Sequence, residues 1–449
     1  MRKTVIQPLF FSQANDRERN ELNAQMARLT EMYGGLADFL TPVLVGQPIA
    51  AHVDAVLFPQ LIGAAFSEKE ALKNLTLPIL VITSEFGTVE MWDWEIVAYL
   101  REQLGLTVFS PYNRMLVEVI LRALAAKNHM RSGAKFLMFQ DSPGEGMQAN
   151  IFKRFYWWEA ECTAQIEKAF GFQIVYRSYQ ELNQRAAEIS DEAAHTILAE
   201  RKPVCEGLQE GEDRLVKAAK LYLAVKSVIA ELSGVEGVGG NCLNESFHSE
   251  TTPCLAWNWL FEYDHIMWSC EGDTVTLISQ YILYSALKRP VMMTNIYPFL
   301  VGMAALKHEK IDRFPDIEDA DNHALGVHCG YFGFAPESFC SKWLLRPKAL
   351  EIVNEQALMV DCEFAKGPIA LVKIHPDMKT ITIIEAVLED YVQYPGSDCR
   401  NGALIRYKNN SGHKVMEGLS SHHAVIVQGD CTHEILAMSK VYDFTCHVL

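Results

Sequence analysis

The chain has 449 residues, which is enough for about three domains of ordinary size. Hydrophobic residues make up 49% of it and charged residues 21%, so a disordered or collagen-like chain is excluded. Acidic residues outnumber basic ones by 56 to 40, which gives a formal net charge of −16. We therefore expect no binding to nucleic acid or to anionic membranes.

The N-terminal segment is predicted to be a strand and not a targeting signal. Gln7 and Pro8 interrupt its apolar run, 4–11, and no small-residue cleavage site follows. No window approaches the roughly 18 uncharged apolar residues of a membrane-spanning helix. The 11 cysteines are scattered and form no Cys-x-x-Cys pair, a pattern typical of reduced thiols. We expect a cytoplasmic protein.

The first third of the chain alternates apolar runs of strand length with segments of helical periodicity. Strands are predicted at 53–61, 77–83, 106–110 and 135–140, and helices at 94–104 and 113–127. Strands separated by helices predict βαβ units and a parallel sheet. The turn-rich loop 141–146 then predicts the end of this domain.

The middle third continues the α/β pattern. A short strand is predicted at 172–176, followed by long helices at about 181–200 and 213–232. Glycines at positions 234, 237, 239 and 240 then predict a loop. These glycines do not form a dinucleotide fingerprint, and the chain has no phosphate-binding loop, zinc-protease motif or α/β-hydrolase motif.

The last third favours strands joined by turns without intervening helices. A hairpin is predicted from 368–375 and 380–388, with further strands at 403–407 and 423–428. The predicted fold is therefore α/β. It has two doubly wound α/β domains with parallel sheets, at 1–145 and 146–268, and a β-rich, antiparallel and barrel-like C-terminal domain at 269–449.

The segment from His265 to Asp273 is the first candidate site. An apolar strand runs into Glu271-Gly272-Asp273, and a helical pattern begins directly afterwards. Asp273 is well placed to cap that helix, and Glu271 would lie at the carboxyl end of a strand, where α/β sheets bind ligands. If the backbone stays extended, both carboxylates point the same way and favour a divalent cation. The plainer interpretation is a helix cap beside a solvated glutamate.

Two histidine segments are further candidates. His422 and His423 precede the predicted strand at 423–428, and adjacent residues on a strand face opposite ways, so at most one is expected to be a ligand. His328 is flanked by glycines, which allow close approach of a ligand or of backbone. Surface histidines in the first case, and a buried structural histidine in the second, are the alternatives.

The polar segment 241–250 offers Glu245 and Glu250 as acid or base groups, or is simply a polar loop with solvated glutamates. The aromatic residues of 251–259 are predicted to be buried, although they would also suit a wall that stacks against a sugar.

Taken together, these segments resemble the L-fucose isomerase / L-arabinose isomerase superfamily. The segment 270–277 (CEGDTVTL) is similar to the Glu-Gly-Asp-helix motif of arabinose isomerases, whose Glu binds manganese, and to the Glu-Asn-Asp-helix motif of fucose isomerases, whose Asp binds metal. The segment 423–430 (HAVIVQGD) is similar to their C-terminal His-plus-strand element, which favours His423 over His422. The segment 326–328 is similar to an additional histidine region of arabinose isomerases. Asn295 stands where arabinose isomerases have a second carboxylate.

The resemblance implies a metal-dependent aldose–ketose isomerase that moves a proton between C1 and C2 of a pentose or a 6-deoxy or 6-substituted hexose. It implies a metal shell of Glu271, Asp273 and His423, with His328 as a further ligand, and Mn²⁺ as the ion, or Mg²⁺ or Co²⁺ in its place. Glu271 or Asp273 would be the base and Glu245 its partner. It also implies a homo-oligomer, a trimer or hexamer. The alternatives are an epimerase or lyase on the same scaffold, and a non-catalytic sugar-binding protein.

Overall fold

A computed structural model of the chain describes residues 2–11, 15–141, 150–203, 211–245, 249–298, 317–328, 332–347, 353–392, 402–409 and 411–449. Two compact units are distinguished within it. The first comprises Met1–His129, Ser285–Leu287 and His433–Tyr442, and the second comprises Met130–Tyr284, Lys288–Thr432 and Asp443–Leu449. The predicted domain boundary at 145/146 lies outside the described residues, and the three-domain division stays a prediction.

The first unit contains a parallel sheet. Its strands are β1 (Thr4–Phe10), β2 (Ala37–Phe39), β3 (Val43–Leu44), β4 (Ala55–Phe58), β5 (Ile79–Val81) and β6 (Val108–Phe109). They run in the order β2-β1-β4-β5-β6, with β3 also paired to β1. The apolar sequence of β4 is explained by its position, because all four of its residues are buried between neighbouring strands and packed side chains.

The second unit contains another parallel sheet. Its strands are β7 (Lys135–Phe139), β8 (Gln173–Arg177), β9 (Val235–Gly240) and β10 (Met267–Ser269), in the order β10-β9-β7-β8. In a parallel sheet all strands end at the same edge, so the residues that follow β7, β9 and β10 are neighbours. This edge positions the candidate site.

The predicted loop at 234–240 is wrong, because 235–240 form strand β9, which contains three of these four glycines. A Cβ atom at Gly237 would lie 2.8 Å from the ring of Phe136, and one at Gly239 would lie 2.6 Å from Ser269 Oγ. Both neighbours belong to the flanking strands of the sheet. The glycines therefore leave room for side chains of both neighbouring strands. In the sequence, glycines required for packing cannot be told from glycines of a flexible loop.

The C-terminal part of the second unit is an antiparallel barrel. Its strands are β11 (Val291–Pro298), β12 (His323–Val327), β15 (Gly367–Ile374), β16 (Thr380–Val392), β17 (Gly402–Tyr407) and β18 (His423–Gln428). They pair in the order β15-β18-β11-β12-β17-β16, and β15 pairs with β16 to close the ring. Strand β19 (Thr445–Val448) adds to β16, and β13 (Lys342–Pro347) and β14 (Leu358–Glu363) form a separate hairpin.

Helices connect these strands. They are α1 (Asp16–Tyr33), α2 (Lys69–Lys73), α3 (Trp94–Glu102), α4 (Arg114–Arg131), α5 (Phe152–Phe155), α6 (Ala160–Phe170), α7 (Tyr179–Glu188), α8 (Asp191–Arg201), α9 (Gly211–Ala230), α10 (Cys242–Glu245), α11 (Cys254–Asp264), α12 (Thr274–Leu287), α13 (Gly412–Gly418) and α14 (Thr432–Val441). Short 3-10 helices lie at Gly63–Phe66, Met91–Asp93, Ala320–Asn322 and Glu337–Phe339. The helix predicted at 181–200 is two helices, because the Ser190 side chain caps α8 and starts a new helix there.

The mixed α/β character, the parallel sheets and the C-terminal antiparallel barrel are confirmed. Each follows from a strong local pattern, since buried parallel strands give continuous apolar runs and hairpins give turns between strands. Within the described ranges, no helix combines the length and the apolar character needed to cross a membrane.

Candidate active site

Glu271 lies two residues beyond the end of β10, in a turn. Its φ is +56° and that of Gly272 is +69°, so the backbone is not extended here, and the condition under which both carboxylates would point the same way is not met. The turn is held by the indole of Trp158, whose Nε1–H donates to Gly272 O at 2.6 Å. A Cβ atom at Gly272 would lie 2.7 Å from that same nitrogen, so the position requires glycine on two grounds. The Glu271 side chain is buried as a result.

Asp273 is the N-cap of α12, as predicted. Its Oδ1 accepts the backbone N–H of Thr276 at 2.8 Å, and its Oδ2 accepts the Thr276 hydroxyl at 2.7 Å. The same Oδ2 lies 2.8 Å from His423 Nδ1, the distance of a charge-assisted hydrogen bond from imidazole to carboxylate. Asp273 therefore orients His423 and caps the helix, and both of its oxygens are used in doing so.

His423 joins the two carboxylates from the barrel side, at the start of β18. Its Nε2 lies 3.4 Å from Glu271 Oε2 and 3.3 Å from the Tyr156 hydroxyl. The Tyr156 ring stacks on the imidazole with 4.8 Å between ring centroids. Glu271 and Asp273 thus contact opposite nitrogens of one imidazole. They do not lie side by side, as they would on an extended backbone.

His328 completes the cluster from the end of β12. Its Nδ1 lies 3.5 Å from Glu271 Oε1, and its side chain is fully buried. Glu271 therefore has one imidazole against each of its carboxylate oxygens, His328 at Oε1 and His423 at Oε2. The four residues predicted as metal ligands lie in one buried cluster, although Asp273 contacts it through His423 Nδ1.

The buried titratable groups shift one another's pKa values. Burial raises the pKa of Glu271, but the neighbouring His423 outweighs this, and the pKa falls to about 2. Burial lowers the pKa of His423, while Glu271 and Asp273 raise it to above its usual value. Burial and the two carboxylates raise the pKa of Tyr156, so its hydroxyl stays protonated. In the metal-free cluster the two carboxylates therefore favour the protonated form of His423 by raising its pKa.

A second set of basic groups lies close by. Burial lowers the pKa of His422 to about 3, with His423 acting in the same direction, so His422 is neutral at pH 7. Lys373 on β15 is buried, and its ammonium helps to lower the pKa of Asp273. Sequence reasoning missed Lys373 and Tyr156. The one available signal for Lys373 was a single charge inside the apolar run of β15.

Glu245 lies at the same sheet edge, at the end of α10 after β9. Its Oε1 accepts the backbone N–H of Asp141 at 2.7 Å, and its side chain is buried. The polar-loop interpretation of 241–250 is wrong for 242–245, which form this short helix, while 246–248 lie outside the described residues. Trp257 and Trp259 are buried in α11, as the plainer interpretation predicted.

The set combines a carboxylate with two imidazoles, donor types that bind divalent first-row cations in proteins. The Glu271 oxygens lie 3.5 Å and 3.4 Å from the two imidazole nitrogens. Ligand atoms of one cation, at bonds of about 2.1 Å, are spaced by roughly 3 Å in an octahedron and roughly 3.4 Å in a tetrahedron. Within the described residues, no group of three or more His, Cys, Asp or Glu side chains is arranged as a metal site. Cation binding would require His423 to give up the proton that its two carboxylate neighbours favour.

Comparison with known proteins leaves the family open. Models of known protein families gave no match to the chain, and a search of curated protein sequences found no relative.

Proposed function

We propose that the protein is a metal-dependent aldose–ketose isomerase that acts on a pentose or a 6-deoxy or 6-substituted hexose through an enediol. The observation that carries the proposal is the buried Glu271 carboxylate with an imidazole against each oxygen, at the carboxyl edge of a parallel sheet. Proton transfer between adjacent carbons needs a positioned carboxylate, and open α/β sheets bind ligands at this edge.

Glu271, His423 and His328 are the proposed cation ligands, and Asp273 is the partner that fixes the orientation of His423. The resemblance implies Asp273 as a further ligand, but both of its oxygens already accept hydrogen bonds. A carboxylate behind a ligating imidazole raises the basicity of the ring and holds its tautomer. When bound, a divalent cation polarises the sugar's carbonyl and hydroxyl oxygens and stabilises negative charge on them.

Proton transfer is assigned to the carboxylates of the sheet edge. Glu271 is the base in this proposal, since the oxygens of Asp273 are used in capping α12 and holding His423. The Tyr156 hydroxyl, which stays protonated and points at Glu271 Oε2 from 3.5 Å, can donate to that oxygen or to a sugar oxygen that replaces it. Glu245, at the end of the short helix α10 that follows strand β9, is the partner acid or base, and the N–H of Asp141 donates to one of its oxygens.

Three further features belong to the proposal. Each parallel sheet is doubly wound, with helices on both faces. The protein works as a homo-oligomer, a trimer or hexamer, in the cytoplasm. Its partner is a small sugar.

The experiment is proton exchange in D₂O, followed by NMR. Protein incubated with Mn²⁺ is mixed with pentoses, 6-deoxyhexoses and acidic hexoses, one at a time. We expect deuterium at C1 or C2 of a product that interconverts aldose and ketose. Exchange with inversion at a carbon, or carbon–carbon cleavage, would assign an epimerase or lyase instead. No exchange with metal shown to be bound would contradict the isomerase.

Two variants separate the roles of the residues. Glu271→Gln keeps an oxygen that can bind a cation but cannot take a proton, so we expect bound metal with exchange reduced by at least about 100-fold. His328→Gln is expected to weaken metal binding first, and to recover part of its activity at high Mn²⁺. Equal exchange rates in wild type and Glu271→Gln would remove Glu271 from the proton-transfer role.

A further inference from the structure

Two buried asparagines next to the cluster have side-chain atoms for which the described residues offer no hydrogen-bond partner. Asn241 is 0% exposed, and neither its Oδ1 nor its Nδ2 is paired. Asn295 is 6% exposed, and its Oδ1 is unpaired. Buried amides are nearly always hydrogen-bonded, so unpaired atoms at such positions point to a ligand that pairs with them when it binds.

Asn241 lies beside Glu271. Strands β9 and β10 are parallel, with Gly239 opposite Ser269 as the last paired residues. The backbone contact continues beyond that pair, because the N–H of Gly272 donates to Gly240 O at 2.8 Å. Asn241 directly follows Gly240 and Glu271 directly precedes Gly272, so the two are chain neighbours of residues in backbone contact, at the ends of adjacent strands.

Asn295 lies beside His423. The two residues are directly opposite each other in the antiparallel pair β11–β18. Directly opposite residues of such a pair project to the same face of the sheet, with Cβ atoms about 4.5–5.5 Å apart. Each of the two residues at the centre of the cluster, Glu271 and His423, therefore has an unpaired buried amide as its neighbour.

The unpaired atoms determine the chemistry of the ligand. Two of the three are carbonyl oxygens, which need a hydrogen-bond donor, and the third is an N–H donor. Hydroxyl groups both donate and accept, so they satisfy all three. A phosphate dianion or an ionised carboxylate has no hydrogen to give to the carbonyl oxygens, whose partial negative charge repels it. The amides therefore favour the hydroxyl groups of a neutral sugar.

We propose that Asn241 and Asn295 bind hydroxyl groups of a neutral open-chain sugar and are specificity-determining residues of this site. The inference rests on the proposed function for its choice of sugar, but the amides would bind a polyol whether or not the protein isomerises it. Among the sugars left open above, it selects neutral pentoses and 6-deoxyhexoses over acidic ones.

The test is the binding of alditols, which have the hydroxyl groups of a sugar and no carbonyl to isomerise. Pentitols, 6-deoxyhexitols and a pentonate are titrated into the full chain by calorimetry, with and without Mn²⁺. We expect an alditol to bind more tightly than the pentonate. The variants Asn241→Leu and Asn295→Leu are each expected to bind it at least tenfold more weakly.

Asn258→Leu is the matched control. Asn258 is equally buried, but its Nδ2 donates to Cys254 O at 2.8 Å and its Oδ1 accepts from Trp343 Nε1 at 3.3 Å. We expect this variant to unfold at a lower temperature than wild type and to keep its alditol affinity. Asn241→Leu loses no hydrogen bond, so it should unfold at the same temperature as wild type or higher. Asn241→Ala and Asn295→Ala replace the leucine variants if either fails to fold.

The outcomes are distinct. Alditol affinity unchanged in the variants of both asparagines, no alditol binding by wild type, or unfolding of Asn241→Leu at a temperature lowered as in Asn258→Leu would each overturn the inference. Alditol binding that depends on both asparagines, in a protein without proton exchange, would support the inference and overturn the isomerase. Isomerase turnover with an unchanged KM in the variants of Asn241 and Asn295 would support the isomerase and overturn the inference.

Discussion

His423 Nδ1 lies 2.8 Å from Asp273 Oδ2, and this contact fixes the imidazole so that its other nitrogen faces Glu271. The contact joins the N-cap of a helix to the first residue of a barrel strand. Asp273 therefore has two roles, because the oxygen that receives the imidazole also accepts the hydroxyl of Thr276.

Asp273→Asn separates these two roles. Asparagine caps a helix about as well as aspartate, so we expect a change in unfolding free energy below about 1 kcal/mol from the cap itself. The charge that supports His423 is lost, and metal affinity should fall roughly 10- to 100-fold. Competition with a chelator measures the affinity. Ser190→Ala, which removes the cap of α8, should cost about 1 kcal/mol and leave metal affinity unchanged.

Metal binding is expected to release a proton. The carboxylates raise the pKa of His423 against the effect of burial, so its Nε2 carries a proton that a cation must displace. Affinity for Mn²⁺ should therefore fall as the pH is lowered, approaching tenfold per pH unit below the pKa of His423. Calorimetry in two buffers of different ionisation enthalpy counts the protons. If metal binding releases no proton between about pH 6 and pH 8, His423 is not a ligand.

The same groups determine how the stability of the metal-free protein depends on pH. The raised pKa of His423 gives a contribution that is complete below 6.5 and is lost as the pH rises through the folded-state value. The lowered pKa of Glu271 gives a contribution that is present above 4.5 and is lost as the pH falls towards about 2. We expect the cluster to stabilise the metal-free fold most between these limits. Chemical denaturation of wild type and His423→Gln at several pH values measures the difference, which should shrink towards both ends.

The sequence was informative where a residue's role depends on its immediate neighbours. The capping role of Asp273 and the β-hairpin at 368–388 are local, and both were predicted correctly. The position of Tyr156 against His423 is not local, since the two residues are far apart in the chain and Tyr156 follows the short helix α5 without any motif. The turn at Glu271 was missed because a positive φ at a glutamate is set by the packing of Trp158 against Gly272.

Lys373→Met is expected to stabilise the protein at neutral pH. Within the part of the chain that the structure describes, the buried Lys373 Nζ has no hydrogen-bond partner, and burial lowers the pKa of Lys373 while Asp273 raises it in part. Between its folded-state pKa and 10.5 the unfolded chain binds more protons, so wild-type stability rises with pH. The advantage of the variant, roughly 1–3 kcal/mol, should therefore shrink as the pH approaches 10.5.

The control for this change is Lys342→Met, at a lysine that is exposed and paired with Glu363. It should alter the free energy of unfolding by less than about 0.5 kcal/mol. A loss of stability in Lys373→Met at neutral pH would mean that the ammonium stabilises Asp273 by more than its burial costs.

Gly237→Ala tests the packing of strand β9. The added Cβ atom would lie 2.8 Å from the ring of Phe136 and 3.0 Å from Leu277, and both side chains are buried in the core. Neither can move without displacing its own neighbours, so we expect a loss of about 1–3 kcal/mol in unfolding free energy. Gly63→Ala meets no atom within 4 Å and should stay within about 0.5 kcal/mol of wild type. If Gly237→Ala and Gly63→Ala are equally stable, strand β9 accommodates a side chain at position 237. The packing around 234–240 is then looser than the contacts with Phe136 and Leu277 indicate. A selective loss in Gly237→Ala would mean that glycine is required there to bring β9, and with it Asn241, against β10 and Glu271.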